Sequence, residues 1–176
     1  MSMFCFQCQE TFKNHGCTVR GVCGKTDDVA NLQDALIFAL KGMANYSSQL
    51  RKVKKVSSEI DGFLFKALFT TITNANFDAK DMVEDIKKAI EYRKSIKAEL
   101  EKEGVTLDPK FEGKPLTTWE FTTKEEAEML APKVGVLRTE NEDVRSLREI
   151  ILYGLKGISA YGFHAYNLGK ISEELY

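Results

Sequence analysis

The chain has 176 residues, with 25 Lys and Arg against 26 Asp and Glu, so its formal net charge is −1. That balance gives no electrostatic pull toward nucleic acid, and 43% hydrophobic with 29% charged residues is the composition of a folding chain, not a disordered one. The longest apolar run, Ala35 to Leu40, is far below the roughly 20 residues a bilayer demands, and no basic, apolar leader precedes the first cysteine, so a cytoplasmic protein with no membrane partner is expected.

Residues 1–26 read as a metal-binding loop. The four cysteines, Cys5, Cys8, Cys17 and Cys23, all lie here, in the pattern C-x2-C-x8-C-x5-C. Disulfides rarely persist in a reducing compartment, which disfavours two bridges. Four thiolates suit a tetrahedral zinc ion, and Cys5-x-x-Cys8 is a common first half of such a site, but Cys17 and Cys23 are loosely spaced for the second half. An iron–sulfur cluster accommodates looser spacing and leads, with zinc as the alternative. Gly16, Gly21 and Gly24 let the backbone turn tightly and bring N–H groups toward sulfur. Phe4, Phe6 and Phe12 are candidates to shield one side from water, and His15 reads as a surface residue.

Helices follow. Asp27 or Asp28 caps a first helix to about Gln49, with Val29, Leu32, Leu36, Leu40 and Met43 at helical spacing. Ile60 to Asn74 is denser in apolar residues and reads as a buried second helix. Asn76 or Asp78 caps a third, Ala79 to Glu103, with Met82, Ile86, Ile90, Ile96 and Leu100 on one face and a solvated charged face opposite. Gly104 ends it, closing a bundle over 27–104. Residues 105–122, with Pro109, Gly113 and Pro115, form a connection in which Thr118 to Phe121 is briefly extended and Trp119 packs on the bundle. A second, incomplete helical unit spans 123–176. Thr123-Lys124-Glu125-Glu126 is a capping box for a short helix to about Leu130, stopped by Pro132. Asn141 or Asp143 opens the last long helix, carrying Val144, Leu147, Ile151, Leu155 and Ile158. No segment alternates like a strand, so the fold class is all-α: a three-helix bundle plus the incomplete unit, forming one compact domain.

The first and last long helices resemble each other. At an offset of 115 residues, Leu32, Leu40, Lys41, Gly42 and Tyr46 align with Leu147, Leu155, Lys156, Gly157 and Tyr161, which points to a duplicated helical unit. The glycines suit close approach of a neighbour, and both lysines are read as snorkelling to solvent.

Three stretches together carry a wider resemblance: Met3 to Thr11 with Gly16-Cys17-Thr18 and Gly21-Val22-Cys23-Gly24-Lys25; Leu32 to Leu36 with Leu40-Lys41-Gly42; and Asp143 to Glu149 with Tyr153 to Gly157. They resemble the hybrid cluster protein family, also called prismane proteins or hydroxylamine reductases. The resemblance implies that Cys5, Cys8, Cys17 and Cys23 hold the family's proximal cluster, as [4Fe-4S] rather than [2Fe-2S]. It also implies an N-terminal electron-transfer domain, fed by a redox donor protein and passing electrons toward the hybrid cluster of the remaining domains. The ligands of that second cluster, one His, two Glu and several further Cys, lie in later domains, and this chain has no cysteine beyond Cys23. The family is an oxidoreductase, but this chain alone is not expected to reduce hydroxylamine. No catalytic residues are assigned: His15 and His164 are the only histidines, and no Ser-His-Asp spacing or phosphate loop appears. The alternative function is a helical interaction module with a structural four-cysteine zinc site. For the helix near 143–168, the apolar face either packs back on the first bundle or stays exposed, and self-association through it is expected.

Overall fold

The structure, a computed structural model, describes residues 2–170 and Leu175. Residue 1 of the 1–26 loop, and residues 171–174 and 176 of the 123–176 unit, lie outside the described residues.

The described residues form an all-α bundle with no sheet, as expected. Four long helices carry it: α1 (Asp27–Leu50), α2 (Ser58–Thr70), α3 (Ala79–Lys102) and α7 (Glu142–Asn167). Three one-turn helices, α4 (Pro115–Thr118), α5 (Lys124–Glu128) and α6 (Ala131–Val134), wrap α1. The caps follow the sequence closely. Asp78 accepts from the backbone N–H groups of Lys80 and Asp81, Asn141 accepts from that of Val144, and Thr123 with Glu126 completes the reciprocal capping box. Thr26, not an aspartate, occupies the cap position of α1 and spends its hydroxyl on Asp28, which in turn accepts from the Val29 N–H. Ser57 caps α2, which therefore starts before Ile60 and ends at Thr70, short of Asn74. Pro132 does not stop a helix to Leu130; α5 ends at Glu128, and Pro132 sits in the first turn of α6, where its missing N–H costs nothing.

α1 is the central rod. Leu32, Ala35, Leu36, Ala39, Leu40, Met43 and Leu50 are buried around it because α3 packs along one side and α4 to α6 cover another. α3 contributes Met82, Ile86, Ala89, Ile96 and Leu100 and turns its Lys and Glu residues outward. Gly42 permits the contact with α4: a Cβ there would lie 2.1 Å from the Leu116 carbonyl oxygen. Trp119 stacks on Phe121 at 5.4 Å and meets Phe38 edge-on, so it packs on the bundle as expected, with no strand around it.

The second pairing is α2 with α7, which is more extensive than α2 with α1. It rests on reciprocal glycines: a Cβ on Gly62 would meet the Tyr166 ring at 2.4 Å, and one on Gly162 would meet the Phe65 ring at 3.0 Å. α7 buries Lys156, Ser159 and Gly162, while Leu147, Ile150, Ile151, Leu155 and Ile158 on its other side are exposed. The apolar stripe legible in the sequence is thus the outer face of α7 within this chain. No helix of the described residues is long and apolar enough to cross a membrane.

Candidate metal centre

The N-terminal segment runs across the end of the bundle and returns on itself. Cys5 and Cys17 face each other in an isolated antiparallel bridge, with Cys5 N–H donating to Cys17 O at 3.0 Å and Cys17 N–H to Cys5 O at 2.8 Å. Between them, the Thr11 N–H donates to Cys8 O, and the Thr11 hydroxyl donates to Cys5 O at 3.2 Å and lies 3.9 Å from Cys17 Sγ. Gly16 makes the return possible: its φ is +145°, and a Cβ would run into the Phe4 ring. A second turn carries Cys23. Gly21 N–H donates to Lys25 O and Gly24 N–H to Gly21 O, and the missing Cβ of Gly21 leaves room for Cys23 Sγ.

All four thiols are free. Cys17 is buried, Cys5 and Cys8 are half-buried, and Cys23 is exposed. The bridge brings Cys5 and Cys17 together, whereas Cys8 and Cys23 sit on separate turns. Among the described residues no three His, Cys, Asp or Glu side chains are gathered tightly enough for a single metal ion. The donor set is nevertheless all sulfur and unbridged. Burial pushes the Cys17 thiol up, but hydrogen bonds from the backbone at Phe12 and Val22, the Thr11 hydroxyl and the Lys25 charge together hold it below the ordinary thiol range. This is the chemistry that a thiolate ligated to iron needs, so the residues fit a cluster.

Of the aromatic residues expected to shield the loop, Phe4 and Phe6 pack on each other at 5.5 Å, but Phe12 is 54% exposed and shields nothing. His15 is exposed, as expected. Lys156 departs from its reading as a snorkelling lysine. It is buried, and its ammonium donates to Gln7 Oε1 at 3.1 Å and to Thr71 O at 3.2 Å, seating the cysteine segment on α2 and α7. Gln7 Oε1 also accepts from the Thr73 N–H. Lys25 is buried beside Cys5 and donates to Gln33 Oε1 at 2.7 Å. Sequence reading assigned no role to Lys25, Gln33, Gln7 or Asp34; the one local signal was that Lys25 directly follows Cys23-Gly24.

A cleft of about 620 Å³ opens beside Cys5, between α1, α6 and α7, with Asp34, Lys41, Arg148, Glu149, Tyr153 and Lys156 among its walls. Its charged groups perturb one another. Burial, aided by Glu149, raises the Asp34 carboxyl to about 7 against the opposing pull of Lys156, Lys25 and Lys41. Burial, with Lys25 adding repulsion, lowers Lys156 to about 8 although Asp34, Cys5 and Glu149 oppose it. Burial also raises Tyr153, and the Cys8 and Cys5 sulfurs add to that rise.

Comparison with known proteins gives the lineage. The chain is similar over its whole length to hydroxylamine reductases of Thermoanaerobacter pseudethanolicus (50% identical over 176 residues), Clostridium novyi (53% over 176) and Bacteroides fragilis (49% over 176). It spans about a third of their length, 32%, 32% and 31% respectively. Residues 3–176 match the Prismane/CO dehydrogenase family, and the chain belongs to that family.

Proposed function

We propose that this chain is a cytoplasmic iron–sulfur electron-transfer domain, with Cys5, Cys8, Cys17 and Cys23 as ligands of one [4Fe-4S] cluster. The observation that carries the reading is the paired Cys5 and Cys17 backbone at the end of the bundle, with two further free thiols on the adjoining turns and a buried lysine against Cys5. A bound cluster would supply one-electron redox chemistry. The protein's part is placement. The backbone pairing of Cys5 with Cys17 fixes two donors, and Lys156 and Gln7 anchor the segment. A soluble redox donor protein would approach on the side of Cys23, which is exposed. By analogy with the relatives named hydroxylamine reductase, the electron would go to a hybrid cluster on the remaining domains, since no cysteine follows Cys23 here.

Anaerobic isolation with iron and acid-labile sulfide analysis tests this. The expected result is a brown protein with near-equal iron and sulfide, each Cys→Ser variant losing or converting the cluster. A colourless protein binding one zinc would overturn it in favour of a structural zinc module. The isolated chain should accept an electron yet show no hydroxylamine turnover above free iron–sulfur cluster.

A further inference from the structure

We propose that Lys25 holds a fixed positive charge against the Cys5 sulfur and thereby raises the reduction potential of the cluster. This rests on the cluster reading above. Lys25 is only 1% exposed, among the most completely buried side chains of the protein. A lysine so placed is costly unless negative charge or good acceptors compensate it. Its ammonium donates to Gln33 Oε1 at 2.7 Å and lies 3.9 Å from Cys5 Sγ. Gln33 is committed to this lysine: its amide oxygen accepts a hydrogen bond from the ammonium while its Nε2 is buried with no partner.

The surroundings sharpen the point. A second buried ammonium, Lys156, stands near enough to Lys25 for the two to repel, and the acids that line the same cleft, Asp34 and Glu149, are each partly exposed. Two buried cations crowding one end of a bundle need negative charge close by. Thiolate sulfur carrying a cluster is such a charge, and it lies on the Cys5 side of Lys25. Reduction adds one electron to the cluster and breaks no bond, so the negative charge grows by one. A cation held nearby stabilises the reduced form more than the oxidised form, and the potential rises.

The test uses the 176-residue chain, reconstituted anaerobically, with iron and sulfide counted before any potential is read. Reductive titration followed by electron paramagnetic resonance should show Lys25→Met disfavouring reduction by about tenfold or more, 59 mV for one electron. Lys25→Arg, which keeps the charge, should retain the native potential. Gln33→Glu, which keeps the lysine and sets a carboxylate beside it, should lower the potential in the same direction. Should Lys25→Met fail to take up iron, Gln33→Glu carries the decision. Native potentials in fully loaded Lys25→Met or Gln33→Glu would overturn the proposal, while failure of the native chain to take up iron and sulfide would overturn the cluster reading beneath it.

Discussion

At Asp34, one carboxylate on the buried rod α1 faces Glu149 across the cleft and titrates near neutrality. Its ordinary value is 3.8 and its folded value about 7, so the folded state binds the proton more tightly than the unfolded chain. The stabilisation this gives is complete below about pH 4 and is lost as pH rises toward 7. Asp34→Asn should therefore flatten the fall in urea midpoint between those pH values, read against native protein in the same buffers. Lys156 acts in the opposite sense at higher pH, since its folded value of about 8 lies below the ordinary 10.5 and stability recovers as pH rises between them. Neither effect was legible in the sequence. Asp34 carried no role in the sequence, and Lys156 read as one of two equivalent lysines in a repeat. What separated Lys156 from exposed Lys41 was the neighbour each helix meets, which periodicity does not encode. The four cysteines were legible because no other residue type clusters so sharply in the chain.

The helices were legible where a cap and a period agreed, as for α3 with Asp78 and α7 with Asn141. Partnership was not. α7 carries an apolar stripe that predicts its buried face, yet the face seated on α2 is the one bearing Lys156, Ser159 and Gly162, because small residues let the α2 rings come close. The aligned glycines of the two related helices make the distinction measurable. Gly42 is pressed against the Leu116 carbonyl, so Gly42→Ala must displace backbone and should destabilise the protein by about 1–3 kcal/mol. Gly157 has nothing within 4 Å of its missing Cβ, so Gly157→Ala should stabilise by up to about 1 kcal/mol through helix propensity. Equilibrium urea unfolding of the two variants checks both signs. Equal effects would mean that the two helices share one environment after all.

Among the described residues, the outer side of α7 presents a stripe of exposed apolar side chains. Leu147, Ile150 and Ile151 are each about two-thirds exposed, and Leu155 and Ile158 nearly half, on one continuous face. Exposed apolar area of this kind drives association, and we expect the 176-residue chain to pair through α7. Sedimentation velocity should show the weight-average mass rising with concentration, and Ile151→Glu with Ile158→Glu should abolish the rise. A native chain that stays monomeric at high concentration would rule this out. The tie from Gln7 to Lys156 bridges 149 residues, which fixes an order of events in the cell. Synthesis runs from the N-terminus, so the thiols leave the ribosome before the lysine that seats them, and the cysteine segment has no anchorage on α7 until residue 156 has been made. Metal arriving before that moment would meet a ligand set that Lys156 does not yet anchor, so under the proposed reading the cluster is expected to go in only after α7 has formed.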